Sequence, residues 1–211
     1  MIKVYITTVS EIDFDGARER LSEYRRNKAR GKNGNVSLAA GLLLDYALCE
    51  YGLCERDMEY AEGEHGKPFF KNHLNIKFSL SHSGEYAVCA VSDKEVGVDA
   101  EQYGDTKNIL EIAERYFTGR EYKHIKNGDA KTTFFGLWTR KESLLKAIGT
   151  GIAGGLKTYE VLEDEITVGE TEFYFSEIGG YANVSITVCA EEKATDVTFV
   201  TKEDFIKKCR D

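Results

Sequence analysis

One proline in 211 residues, no Cys-x-x-Cys pair and no apolar run longer than Leu38–Leu44 are the first absences in this chain. The near lack of proline, with 42% hydrophobic residues and 11 Phe and 12 Tyr, excludes collagen-like, low-complexity and disordered chains. Five cysteines (Cys49, Cys54, Cys89, Cys189, Cys209) follow no regular framework, and the odd count suits free thiols in a reducing cytoplasm. The opening MIKVYITTV is too short and too alternating for a secretory apolar region, and no stretch approaches a membrane span, so a cytoplasmic protein is expected. Basic residues are the minority sign, 28 against 36 acidic ones, giving a net charge of -8. Affinity for polyanions comes from clustered Lys and Arg, so neither nucleic acid nor an anionic membrane is an expected partner. Also missing are GxxxxGK[ST] and GxGxxG, which removes the P-loop and Rossmann routes to nucleotides.

The length suits one large domain or two of about 100 residues. Charge is not uniform along it. Arg18 to Lys32 carries seven basic residues against two acidic ones, a local excess that suits either a small, highly charged anion or a solvated helix face.

Ile2 to Thr8 alternates as a strand, and Ala17, Leu21 and Tyr24 recur at helical spacing through the basic segment. Ser37 to Tyr51 reads as an amphipathic helix, with Asp45 and Glu50 off its apolar stripe. After the polar loop EGEHGKP come three strands, Lys77–Leu80, Tyr86–Val91 and Val96–Ala100, expected to form a meander. Asn108 to Phe117 reads as a helix, and Thr118 with Glu121 is a capping-box signature. Thr132 to Ile148 is a long helix followed by the glycine-rich GTGIAGG. Four short strands between Thr158 and Val200 and a helix at Lys202–Lys208 complete the chain. The tetrapeptides AVCA and TVCA, 100 residues apart, hint at an internal repeat. The expected fold is α+β, with two similar subdomains, 1–103 and 104–211, and a junction near Tyr103–Lys107.

Within VGVDAE, Asp99 and Glu101 lie two apart on a strand and so share a face. Two carboxylates so close favour a hard cation such as Mg²⁺, Mn²⁺ or Ca²⁺; the alternative is an ordinary acidic turn. In TFFGLWTRKESLLKAIG, Glu142 falls on the apolar stripe of Trp138, Leu145 and Gly149, where a charge needs a partner. That partner is either Lys146 at i+4 or a cation shared with Asp99 and Glu101, beside Lys141 and Lys146. Ser81, His82 and Ser83 are expected to leave their strand as a turn that either holds a phosphate or is merely structural. Lys67 in GKP is open to the same two readings. No acidic residue is placed to complete a hydrolytic triad with them.

GKP (Gly66 to Pro68), FSLSHSGEYAVCAV (Phe78 to Val91), GVDAE (Gly97 to Glu101), FTGREY (Phe117 to Tyr122) and WTRKESLLKAIGTGI (Trp138 to Ile152) occur in that order. Together they resemble the 4'-phosphopantetheinyl transferases of the larger, Sfp-type group, and SLAAGLLL from Ser37 extends the likeness loosely toward the N-terminus. The resemblance implies two α+β subdomains related by a pseudo-twofold axis, with the active site between them. It also implies transfer of 4'-phosphopantetheine from coenzyme A to a serine hydroxyl of an apo acyl, peptidyl or aryl carrier protein. Adenosine 3',5'-bisphosphate is the other product. By motif, Asp99, Glu101 and Glu142 would ligate Mg²⁺, with Mn²⁺ as an alternative. Lys67, Ser81, His82 and Lys141 would contact coenzyme phosphates, His82 facing the 3'-phosphate. Lys146 would stabilise or protonate the leaving phosphate, and Glu142 would serve as base. A monomer is implied by two subdomains in one chain.

Two departures stand out. Val36 occupies a position where the family often has an arginine for the 3'-phosphate, and Arg25, Arg26, Lys28 or Arg30 are candidates to replace it. Ala100 stands between the two strand carboxylates where a larger aliphatic residue is common. The competing readings are a metal-dependent phosphohydrolase of a small diphosphate and a non-catalytic module binding carrier protein or coenzyme A.

Overall fold

Alternation at the N-terminus produces β1 (Lys3–Thr8), whose Val4 and Ile6 face one layer while Tyr5 faces another, all three buried. The computed structural model describes residues 1–104, 107–151 and 155–208. Cys209 and part of the GTGIAGG segment and of the Tyr103–Lys107 junction therefore lie outside the described residues.

The continuous helix expected through Ala17, Leu21 and Tyr24 is broken. A 3-10 turn covers Ala17–Arg20, and α1 (Glu23–Lys28) begins afresh at Ser22, whose hydroxyl accepts the Arg25 N–H. The break has a tertiary cause. Ser22 donates both its N–H and its hydroxyl to Glu55, so its backbone is committed to a tertiary partner and cannot continue a helix.

The next helix, α2 (Gly34–Cys49), starts ahead of the expected Ser37 and is not amphipathic. Every residue from Val36 to Asp45 is buried, because β1 and the hairpin strands cover one side and α1 with its neighbouring turn covers the other. Asp45, expected on the solvent side, is 5% exposed and is held by Arg20 (2.8 Å) and the Glu55 N–H (3.0 Å). Gly41 allows this close packing, since a Cβ there would lie 2.9 Å from Leu21 and 3.4 Å from Arg25 Nε.

β2 (Tyr60–Glu62) and β3 (Pro68–Phe70) form a small antiparallel pair. β4 (Lys77–Ser83) and β5 (Tyr86–Ser92) form a hairpin around Gly84–Glu85, so Ser81, His82 and Ser83 remain inside a strand and do not form the expected turn. The meander also ends there. β6 (Val96–Gln102) joins a second sheet, because Val96, Val98 and Ala100 bury between the two sheets against Ile2, Val4, Ile6, Val88 and Ala90.

The helices α3 (Ile109–Tyr116), α4 (Gly119–Asn127) and α5 (Ala130–Ile148) follow, and both halves of the Thr118–Glu121 capping box are formed. Four strands then come as expected: β7 (Glu165–Val168), β8 (Thr171–Glu177), β9 (Val184–Ala190) and β10 (Asp196–Phe199), before α6 (Lys202–Lys208). The sheets run β10-β1-β5-β4 and β6-β9-β8-β7.

Both sheets start with a strand that is followed by a long helix and then by a hairpin whose last strand pairs back to the first. Cys89 and Cys189 each lie in that last strand and face the helix side of their own sheet. Each sheet also holds a strand from across position 103: β6 belongs to the second and β10 to the first. The resulting layers are helix, sheet, sheet, helix.

Gly97 lets α5 lie directly on β6. A Cβ there would fall 2.0 Å from the Ser143 carbonyl oxygen and 2.5 Å from the Ala147 nitrogen, both backbone atoms. Gly97→Ala is expected to lower stability by about 2–4 kcal/mol in chemical denaturation, as overpacked cores do; an unchanged midpoint would refute this close approach.

Candidate active site

β6 pairs with β9 along one edge and faces β4 along the other, with no backbone ladder there. Side chains close that open edge. The N–H groups of Val98, Ala100 and Gln102 donate to the hydroxyls of Ser79 (3.0 Å), Ser81 (3.2 Å) and Ser83 (2.9 Å). The carbonyls of Val96 and Val98 accept from Lys67 (3.3 Å) and Lys146 (3.0 Å). Period-two alternation in SLSHS puts all three serines on one face of β4, and it is this spacing that carries the signal.

The same groups hold the carboxylates. Ser81 Oγ donates to Asp99 Oδ1 at 2.9 Å, Lys146 Nζ reaches the same oxygen at 2.6 Å, and Ser83 Oγ donates to Glu101 Oε2 at 3.0 Å. Asp99 is 4% exposed, and its Oδ2 is buried without a partner. Glu142, on α5 across from β6, has no hydrogen-bond or ion-pair partner among the described residues; Lys146 turns to Asp99 and not back to Glu142.

Burial first, then Asp99, raises the Glu101 carboxyl above its usual range, and burial, Asp99 and Glu101 do the same to Glu142. Three mutually repelling carboxylates, one of them with an orphaned buried oxygen, form a donor set of hard oxygens that fits Mg²⁺ or Mn²⁺. Among the described residues no three such side chains close into a finished metal cluster.

Beside them lies a cavity of about 310 Å³ lined by Tyr24, Arg25, Lys28, His65, Lys67, Ser79, Leu80 and Lys146, among others. Arg25 is 7% exposed; its Nη2 donates to the Ser37 carbonyl at 3.4 Å, and its Nε has no partner. Val36 points into the apolar core, so the cationic group in this region comes from α1. Arg26, one residue on, is exposed and does not line the cavity. Lys67 is tied to Glu95 (2.6 Å) and to the Ala147 carbonyl at the end of α5 (2.8 Å). His82 lies next to this region; burial, then the Lys146 and Arg25 charges, lowers its imidazole below the ordinary range.

Lys141 goes elsewhere. It is 2% exposed, and its ammonium donates to the Leu156 (2.7 Å) and Tyr159 (2.6 Å) carbonyls and pairs with Glu121 at 2.8 Å. Glu121 in turn accepts the Thr118 and Val161 N–H groups. Lys141 is thus buried against Glu121 and does not line the cavity, which sets it apart from Lys67 and Lys146 and from the phosphate that the resemblance assigned to it.

Comparison with known proteins gives the family. The model of the 4'-phosphopantetheinyl transferase superfamily matches residues 95–197, which include β6 and α5. A 4'-phosphopantetheinyl transferase of Bacillus subtilis is 32% identical over 69% of this chain and 68% of its own length. The 4'-phosphopantetheinyl transferase Sfp of Bacillus subtilis strain 168 is 30% identical over 74% of this chain and 75% of its own. The transferase HetI of a Nostoc species is 32% identical over 71% and 60%. The chain belongs to the 4'-phosphopantetheinyl transferase superfamily.

Replacing Lys141 by Met would leave the Glu121 charge buried without its cation. A loss of about 3–5 kcal/mol is expected, as for other broken buried pairs, read by urea denaturation; a loss below about 1 kcal/mol would show that Lys141 is not the core cation described above.

Proposed function

We propose that this chain transfers 4'-phosphopantetheine from coenzyme A to a serine hydroxyl of an apo acyl, peptidyl or aryl carrier protein. The observation that carries the reading is a cavity lined by Arg25, Lys67 and Lys146, of which Lys146 also bonds Asp99 and so joins the cavity to the cluster of Asp99, Glu101 and Glu142. Cations without carboxylates would suffice to bind an anion. The pairing of both suits attack on a diphosphate, where negative charge must be neutralised and its oxygens held in line.

In this reading the serine oxygen bonds to the phosphorus that carries the pantetheine, and the bond from that phosphorus to the bridging oxygen breaks. The electron pair leaves with adenosine 3',5'-bisphosphate. Glu142, unpaired and raised above its usual range, accepts the serine proton directly or through a water. Lys146 faces the departing phosphate from its place against Asp99 and Ser81, and Lys67 adds a second positive charge. Ser81 and His82 line the approach to the coenzyme phosphates. Mg²⁺ or Mn²⁺ held by Asp99, Glu101 and Glu142 would supply charge neutralisation at the diphosphate. The nucleophile arrives on the partner, so the chain needs no triad of its own.

We take the site to lie between two subdomains, 1–103 and 104–211, each lending a strand to the other's sheet. A monomer in the cytoplasm is the working form that this supports, because one chain supplies both walls and Cys49, Cys54, Cys89 and Cys189 are free thiols. Among the described residues no helix is long and apolar enough to cross a membrane.

Intact-protein mass spectrometry tests the reading. With coenzyme A and Mg²⁺, an apo carrier from a broad panel should gain the mass of one phosphopantetheine, and chelation of the cation should stop the gain. Cleavage of coenzyme A without a carrier would point to a hydrolase instead, and binding with no mass change to a non-catalytic module. Glu142→Gln should cut turnover about 100-fold or more, since general-base contributions are of that size. Arg25→Ala should raise the Michaelis constant for coenzyme A about tenfold, the worth of one charged hydrogen bond, with Arg26→Ala as the surface control.

A further inference from the structure

Behind the cavity wall lies a carboxylate that the reaction does not use. Glu55 is 0% exposed and opens a short 3-10 turn, Glu55–Asp57. Its Oε2 accepts the Ser22 N–H at 2.6 Å, and its Oε1 accepts the Ser22 hydroxyl at 2.7 Å together with the Tyr60 hydroxyl. The Glu55 N–H is itself pinned to Asp45 of α2. Ser22 is the residue that caps α1, and its oxygen also receives the Arg25 N–H. Tyr60 stacks on Tyr24 with ring centroids 4.3 Å apart and planes 12° from parallel. Tyr24 and Arg25 are neighbours on the cavity wall, so Glu55 grips both from behind.

Arg25 needs such a grip. Its guanidinium has one long hydrogen bond to protein and an unpartnered, buried Nε, so its place is set by the backbone of α1 more than by its own bonds. The carboxylates and Lys146 occupy the β6 and α5 side of the site, where the diphosphate must react. Arg25 stands on the α1 side with hydrogen-bonding capacity still unfilled. Coenzyme A carries one more anionic group, the ribose 3'-phosphate, and a planar guanidinium fork matches a phosphate monoester.

We propose that Glu55 is a positioning residue: by clamping Ser22 and Tyr60 it fixes α1 so that Arg25 meets the 3'-phosphate, and it thereby makes the chain select coenzyme A over 3'-dephospho-coenzyme A. This deepens the proposed function and rests on that reading of the cavity. Glu55 touches neither coenzyme nor carrier; its effect passes through Arg25.

Calorimetric binding of the two coenzymes separates the possibilities without depending on any carrier. Wild type should bind coenzyme A about tenfold or more tightly than the dephospho form, the worth of a charged hydrogen bond. Glu55→Gln keeps the volume but leaves one acceptor oxygen where three donors converge. It should weaken coenzyme A binding severalfold and leave the dephospho form nearly unchanged. The double variant with Arg25→Ala should bind coenzyme A no worse than Arg25→Ala alone. Equal weakening of both coenzymes, no weakening of either, or additive losses in the double variant would overturn the inference. If circular dichroism shows Glu55→Gln unfolded, Ser22→Ala removes the middle of the relay, and the same selective loss is expected of it; an unselective result there overturns the inference as well. Wild type that binds both coenzymes equally overturns the inference alone. Wild type that binds neither overturns the proposed function with it.

Discussion

The free edge of β6 has to be satisfied, because each buried N–H or C=O left unpaired costs about 1–3 kcal/mol. Another strand could have paired with it. Serine hydroxyls meet its N–H groups instead, and lysine ammonium groups meet its carbonyls. A backbone ladder would have used only backbone atoms and left nothing over. Hydroxyls and ammonium groups have further capacity, and they spend it on Asp99 and Glu101. The edge closure and the candidate site are therefore one hydrogen-bond network, held together by the protein's own groups.

Helix packing completes that network from the other side. With no side chain at Gly97, the α5 backbone comes within contact of β6, so Lys146 can bridge to Asp99 while Glu142 faces the same space. Arg25 reaches the cavity by a similar device, since α1 settles onto α2 over Gly41. Two glycines thus bring the two walls to within the span of one small ligand.

Much of this was legible in the residues. β1, the capping box, α5, the final strands and the paired carboxylates of GVDAE all follow from period, capping chemistry and spacing, which are local. What was not legible is tertiary. The amphipathic reading of α2 assumed a solvent face, and α1 with its turns covers that face. Asp45 and Glu55 look like surface acids until Arg20, Ser22 and Tyr60 are brought onto them. Two lysines five positions apart in one motif could not be told apart either: Lys146 reaches the site, whereas Lys141 holds Glu121 in the core, and only the rotation of α5 against β6 decides between them. β6 was expected beside β5, but its apolar face needed two sheets to cover it.

The parallel pairing of β1 with β10 joins the first strand of the chain to the last. Thr7 hydrogen-bonds the Val200 carbonyl across 193 residues. β10 follows β7, β8 and β9 in the chain, so during synthesis the first sheet is one strand short until the strands of the second have been made. Closing so long a loop is entropically slow, and a sheet edge exposed in the meantime can pair with other chains. In chain order, then, the edge of β1 is the last in the first sheet to gain its partner, and that partner comes from the far end of the described residues.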